Sequence, residues 1–133
     1  MASANVELAA RIVDAFNGRD VDTFSGLITD DFVWVTRTVT SSELTQYRGQ
    51  EGLRQFFEDT ELFWEKIESR VDEIRDVGDR AVVLGELFWH GRRRSLEVAG
   101  PFGSVLYFEN GKLKRIETYR SASEALASLG LGE

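Results

Sequence analysis

Ala15-Phe16-Asn17-Gly18-Arg19-Asp20-Val21-Asp22, running on to Asp30-Asp31-Phe32-Val33-Trp34, is the stretch that decides the fold. Asn17-Gly18 reads as a left-handed helix stop, because glycine takes positive φ without steric cost. Asp20 can cap a second, short helix whose apolar side is Val21, Phe24, Leu27 and Ile28. Asp30-Asp31 breaks that helix, and the β-branched and aromatic residues from Phe32 to Arg37 predict a strand. Two short helices, a strand, a third helix and then a run of strands imply a cone, a curved sheet wrapped around helices. Such a cone has room for a small-molecule pocket.

Working outward, Leu8, Ala9, Ile12, Val13 and Phe16 recur at helical spacing and predict a first helix from about Ser3 to Asn17. Residues 38 to 48 read as a polar loop containing Tyr47. From Gln50 to Ile67 a long helix is expected, with Leu53, Phe56, Phe57, Phe63, Trp64 and Ile67 on one face. As core, each of these is worth about 1.5–3 kcal/mol, and one end of the stripe can still line a cavity. Ser69 to Val77 alternates without a clean apolar side, as an edge strand does, and Gly78-Asp79 turns the chain. Ala81 to Trp89 is apolar on both faces, the mark of a strand covered on two sides. A second subunit is the expected cover for the outer face, hence a homodimer through the sheet. Gly91 to Ser95, with Arg92, Arg93 and Arg94, forms a basic turn. Leu96 to Glu109 continues as a long strand bent at Gly100-Pro101, Asn110-Gly111 is a two-residue hairpin signal, and Lys112 to Arg120 is the last strand. Ser121 to Leu129 closes the chain as a short helix.

The bulk properties fit one domain spanning residues 1–133, with 42% hydrophobic and 29% charged residues. A net charge of −7 repels phosphate backbones, which argues against a nucleic-acid partner. There is no cysteine, so no disulfide or thiolate chemistry, and a single histidine makes a metal site improbable. Gly49-Gln50-Glu51-Gly52 lacks the lysine and hydroxyl of a phosphate loop, and no cofactor is expected. The first residues lack the basic patch and apolar core of a signal peptide, and no apolar run reaches the roughly 20 residues that span a bilayer. The expectation is a cytoplasmic protein without a membrane partner.

The segments Phe16-Asn17-Gly18-Arg19-Asp20, Asp31-Phe32-Val33-Trp34, Tyr47-Arg48-Gly49-Gln50-Glu51-Gly52, Gly78-Asp79-Arg80 and Asn110-Gly111-Lys112-Leu113 through Tyr119 together resemble the SnoaL-like branch of the nuclear transport factor 2-like superfamily. The resemblance implies an α+β fold, a cone-shaped curved antiparallel sheet wrapped around three helices with a short C-terminal helix. That superfamily includes ketosteroid isomerases, polyketide cyclases and epoxide hydrolases, so fold alone does not choose a chemistry. Carried over by position, the isomerases' first-helix tyrosine falls at Ile12. Their aspartate base falls near Thr36, and their late protonated aspartate near Ser104 or Val105. None of these residues can do the job. No aspartate follows Asp79, which removes the late aspartates of the hydrolases and cyclases as well.

Two residues keep catalysis open. Glu86 interrupts an apolar strand and shares a face with Val82, Leu84, Phe88 and His90, where an apolar setting would raise a carboxyl pKa. The plainer alternative is an ion pair with an arginine, within the chain or across a dimer. His90 suits proton transfer near neutral pH, but a strand end beside Gly91 equally suits a solvated histidine. Trp34, Tyr47, Phe57, Trp64, Phe88, Phe102 and Tyr119 are the candidate ligand-binding aromatics. The sequence thus points to a small-molecule-binding domain with an apolar pocket for a small apolar or aromatic ligand. The alternative is a cofactor-independent isomerase, cyclase or hydrolase-like enzyme using Glu86 or His90 as general acid or base.

Overall fold

The computed structural model describes residues 4–36, 45–91 and 97–130. Helix α1 (Ala4–Asn17) buries Leu8, Ala9, Ile12 and Ala15 along one stripe. Helix α2 (Val21–Gly26) is capped by Asp20, whose carboxylate accepts from the Thr23 amide at 3.1 Å and the Thr23 hydroxyl at 2.6 Å. Strand β1 (Ile28–Thr36) is followed by β2 (Thr45–Arg48), then helix α3 (Gly49–Phe63). Strands β3 (Trp64–Val77), β4 (Arg80–Gly91), β5 (Glu97–Glu109) and β6 (Lys112–Tyr119) form the rest of one curved sheet, and α4 (Ala122–Ser128) ends the described chain.

The sheet order is β2-β1-β6-β5-β4-β3. Every neighbouring pair is antiparallel except β1 and β6, which run parallel, so the sheet is mixed rather than purely antiparallel. Helices α1 to α3 pack against one face and bury the main core around Phe24, Phe32, Leu53 and Ile67. We call this the inner face.

Several expected boundaries move. The left-handed residue after α1 is Arg19 (φ 52°), not Gly18. Asn17 instead pins α1 to the free edge of β3. Its amide donates to the Ser69 carbonyl at 2.9 Å and accepts from the Ser69 amide at 2.8 Å, the pattern of a neighbouring strand. Asp30-Asp31 does not end a helix. It lies inside β1, where the register against β6 shifts between Ile28 and Val33. Tyr47 lies on the short strand β2 rather than in a loop. Trp64 and Ile67 belong to β3, not to the helix before it. The Phe63 side chain, residues 37–44 and the basic turn with Arg92, Arg93 and Arg94 lie outside the described residues. Asn110-Gly111 turns with positive φ at both residues (53° and 78°), as a tight hairpin requires.

The two-faced burial of β4 also has an intramolecular cause. On its outer face Val82 and Leu84 pack with Val105 against Ala125 and Leu126 of α4. Ser121 caps α4 by accepting from the Glu124 amide at 3.1 Å, while Glu124 reaches back to the Arg120 amide at 3.2 Å. The cover that β4 demands is therefore supplied in part by the chain's own last helix. Close approach leaves no room for a side chain at Gly52, against the Tyr47 backbone, or at Gly85 and Gly103. A Cβ at Gly103 would sit 2.6 Å from that of Ala125, and one at Gly85 would overlap the Arg70 carbonyl oxygen where β3 bulges past Val71.

Candidate functional site

A cavity of about 70 Å³ lies between the helices and the inner face of the sheet. An engineered cavity of about 150 Å³ admits benzene, so this one suits a small ring that reaches partly beyond it. Helix α1 contributes Ile12, Val13 and Phe16 to its wall, α2 Phe24 and α3 Phe56. Strand alternation turns Trp34 and Thr36 of β1, Val83, Leu87 and Trp89 of β4, and Phe102, Ser104 and Leu106 of β5 toward it. Ser69, Ile116 and Thr118 complete the wall. No described lining residue is ionisable.

The aromatic wall is rigid by mutual packing. Trp34 is stacked between Phe56, at 4.1 Å between centroids, and Phe24, at 5.7 Å. Its indole N–H donates to the Thr118 hydroxyl at 3.1 Å, and Thr118 and Ser104 share a hydrogen bond at 3.0 Å. Ser69 turns its hydroxyl away to Asn17 at 3.0 Å. Trp89 is 4% exposed, and its indole N–H is buried with no hydrogen-bond partner among the described residues.

A family model described as a SnoaL-like domain matches residues 9–116. The chain belongs to the SnoaL-like family. No curated protein sequence matches it. Among solved structures, a nuclear transport factor 2-like protein of unknown function from Burkholderia pseudomallei is 20% identical, with a TM-score of 0.77 over 95% of this chain and 97% of the other. A ketosteroid isomerase-like protein from Catenulispora acidiphila, in complex with trimethylamine, is 18% identical with a TM-score of 0.75 over 94% and 93%. A candidate SnoaL-like polyketide cyclase from Shewanella denitrificans is 19% identical with a TM-score of 0.75 over 96% and 99%. These likenesses establish the fold.

Within this SnoaL-like domain the candidate residues divide sharply. Trp34 and Phe102 line the cavity. Phe57 is buried one layer back, edge-on to Phe24 and Phe56. Tyr47 packs edge-on against Phe56 and donates to Asp59 at 3.1 Å. Burial, then that bond, raises its pKa. Trp64 packs against Trp89 at 5.3 Å. Phe88 lies on the opposite face from Trp89, beneath the Arg70 guanidinium at 4.2 Å. Tyr119 is also on the outer face, donating to Glu117 at 3.1 Å.

Glu86 and His90 are corrections of a different kind. The inner face of β4 carries Val83, Leu87 and Trp89, so the alternation that groups Glu86 with His90 turns both away from the cavity. Glu86 is exposed, in register with Arg70 on one side and Pro101 on the other. His90 is half-exposed with Nδ1 3.2 Å from Glu97. By contrast, Ile12, Thr36 and Ser104, the places that the resemblance assigns to catalytic groups, do line the cavity. Val105 does not; it packs under α4. Sequence reasoning named Trp89 as an aromatic able to supply a cavity and Ser104 by position, but missed Thr118 as a wall residue.

The outer face holds the most developed polar cluster. Glu117 accepts from Tyr107 at 3.0 Å, Tyr119 at 3.1 Å and Arg115 Nε at 2.7 Å. Burial alone would raise its carboxyl pKa, but these three donors outweigh it and hold the pKa below the usual range. Burial, with the Glu117 charge added, pushes the Tyr107 hydroxyl up to about 12.

Proposed function

We propose that this domain binds one small, neutral, mostly apolar molecule in the inner cavity and performs no proton-transfer chemistry there. The observation that carries the reading is the wall itself, apolar and hydroxylic, without one ionisable group among the described residues. A general acid or base must reach the reacting atom within about 3 Å or through one water. Glu86 and His90 stand on the other side of the sheet, so the enzymatic alternative loses its proton carriers. A charged ligand would leave its charge unpaired in this wall, at a cost of several kcal/mol. Self-association through the sheet, the expected cover for β4, is no longer required where α4 already lies over Val82 and Leu84.

The test is an NMR titration of the three tryptophan indole N–H signals. Methylcyclopentane should shift those of Trp34 and Trp89, whereas cyclopentylammonium and cyclopentanecarboxylate should shift neither. Stronger response to either ion, or none to the hydrocarbon, overturns the reading.

A further inference from the structure

We propose that the ligand presents one neutral oxygen, that of a ketone, ester or ether, to a row of wall hydroxyls, between Thr36 on β1 and Thr118 on β6. The inference rests on the cavity-binding reading and specifies its chemistry.

Strand register leads to it. Thr36 pairs with Thr118, Thr118 with Ser104 and Ser104 with Val83, so three adjacent strands set three hydroxyls side by side on the inner face. The row on one side of them holds Trp34, Ile116 and Leu106, and Phe102 of β5 stands on the other. Thr36, Ser104 and Thr118 are all buried and all line the cavity. Ser69, the remaining hydroxyl of the wall, is spent on Asn17. The free polarity of the wall is thus gathered into one line.

The hydrogens of that line are unequally used. Thr118 Oγ1 accepts from the Trp34 indole at 3.1 Å and shares a bond of 3.0 Å with Ser104 Oγ. With Ser104 as donor, both lone pairs of Thr118 are filled and its own hydrogen is left to give. Thr36 Oγ1 has no hydrogen-bond partner among the described residues, yet it is not sealed in. The described side-chain atoms that are both unpartnered and fully enclosed are Ser25 Oγ and Trp89 Nε1. Trp89 is therefore out of a ligand's reach, whereas the Thr36 hydroxyl keeps open surface. Neighbouring strands stand about 4.7–4.9 Å apart and O–H···O bonds run to about 2.7–2.8 Å. One oxygen between the two threonines can accordingly take a hydrogen from each. A hydrocarbon leaves both hydrogens unused, and a carboxylate brings a charge that no described cation of the wall balances.

The test compares cyclopentanone with methylcyclopentane, which have nearly the same shape. Thr36→Val replaces the hydroxyl by a methyl group. On it the ketone should lose about three- to tenfold in affinity and the hydrocarbon nothing. Thr36→Ser, which keeps the hydroxyl, should hold the ketone nearly as the parent does. In the infrared, the carbonyl band of the ketone bound to the parent should lie at lower wavenumber than in cyclohexane, and should move part of the way back in Thr36→Val. Because the band is read on the parent, the test stands even if a variant folds poorly. A bound ketone whose band matches that in cyclohexane, or one held as tightly by Thr36→Val as by the parent, overturns this inference and leaves the cavity reading in place. If neither probe binds, the cavity reading itself fails.

Discussion

The two faces of the sheet are built from the same six strands and carry opposite chemistry. The inner face presents indoles, hydroxyls and aliphatic groups to the cavity. The outer face carries Glu86, the His90–Glu97 pair and the Glu117 cluster, with an apolar strip where α4 lies. A one-residue alternation along β4 separates them, Leu87 facing in and Glu86 facing out. An ionisable residue in an apolar strand of this fold is therefore no evidence for a site until its face is known.

The largest way to break the contrast is to move a charge across it. Leu87→Glu places a carboxylate in a wall with no described cation, at a cost of several kcal/mol against a typical domain stability of about 5–15 kcal/mol. Urea unfolding should show a collapsed or far lower midpoint, recovering at acid pH where the group is neutral. Gly85→Ala comes next. Its methyl must displace the Arg70 backbone at the β3 bulge, so a loss of about 1–3 kcal/mol is expected. Thermal unfolding measures it.

A smaller effect sharpens the outer face. The folded protein holds the Tyr107 proton more tightly than the unfolded chain, whose tyrosines titrate near 10.0. That contribution to stability is complete below pH 10 and is lost as pH rises toward 12. Glu117 acts in the other direction. Its lowered pKa contributes stability above the ordinary carboxylate range, lost as pH falls through the folded value. Glu117→Gln should bring the Tyr107 titration back toward 10, read from tyrosinate absorbance. An unchanged titration would assign the shift to burial alone. Smallest of all, Glu86→Gln should change stability by no more than about 0.5 kcal/mol and leave ligand binding intact. A lost binding signal there would restore the enzymatic alternative.

Much of the fold was legible because local rules and tertiary packing agree. Asp20 caps α2 and Asn110-Gly111 makes its turn, while Leu113 and Ile116, which have opposite parity along β6, both reach the main core because the register against β5 shifts between Tyr107 and Phe108 and leaves Lys114 unmatched. Where they disagree, packing wins. Trp64 and Ile67 continue the helical spacing of α3, yet pair with Gly91 and Trp89 as strand. The site was less legible. Alternation groups Glu86 with His90 correctly, but nothing local says which face meets the helices. That depends on α1 to α3 covering one side and α4 the other. The places of Ile12, Thr36 and Ser104 were recoverable by position, and their lack of ionisable groups was already the relevant fact.

The central claim is that the cavity works without a titrating group, and the pH dependence of cyclopentanone affinity between pH 5 and 9 tests it most directly. The account predicts a flat profile, since the described wall has nothing to gain or lose a proton in that range. A step or a bell across it, abolished by Glu86→Gln or His90→Gln, would contradict the account and return a proton carrier to the site.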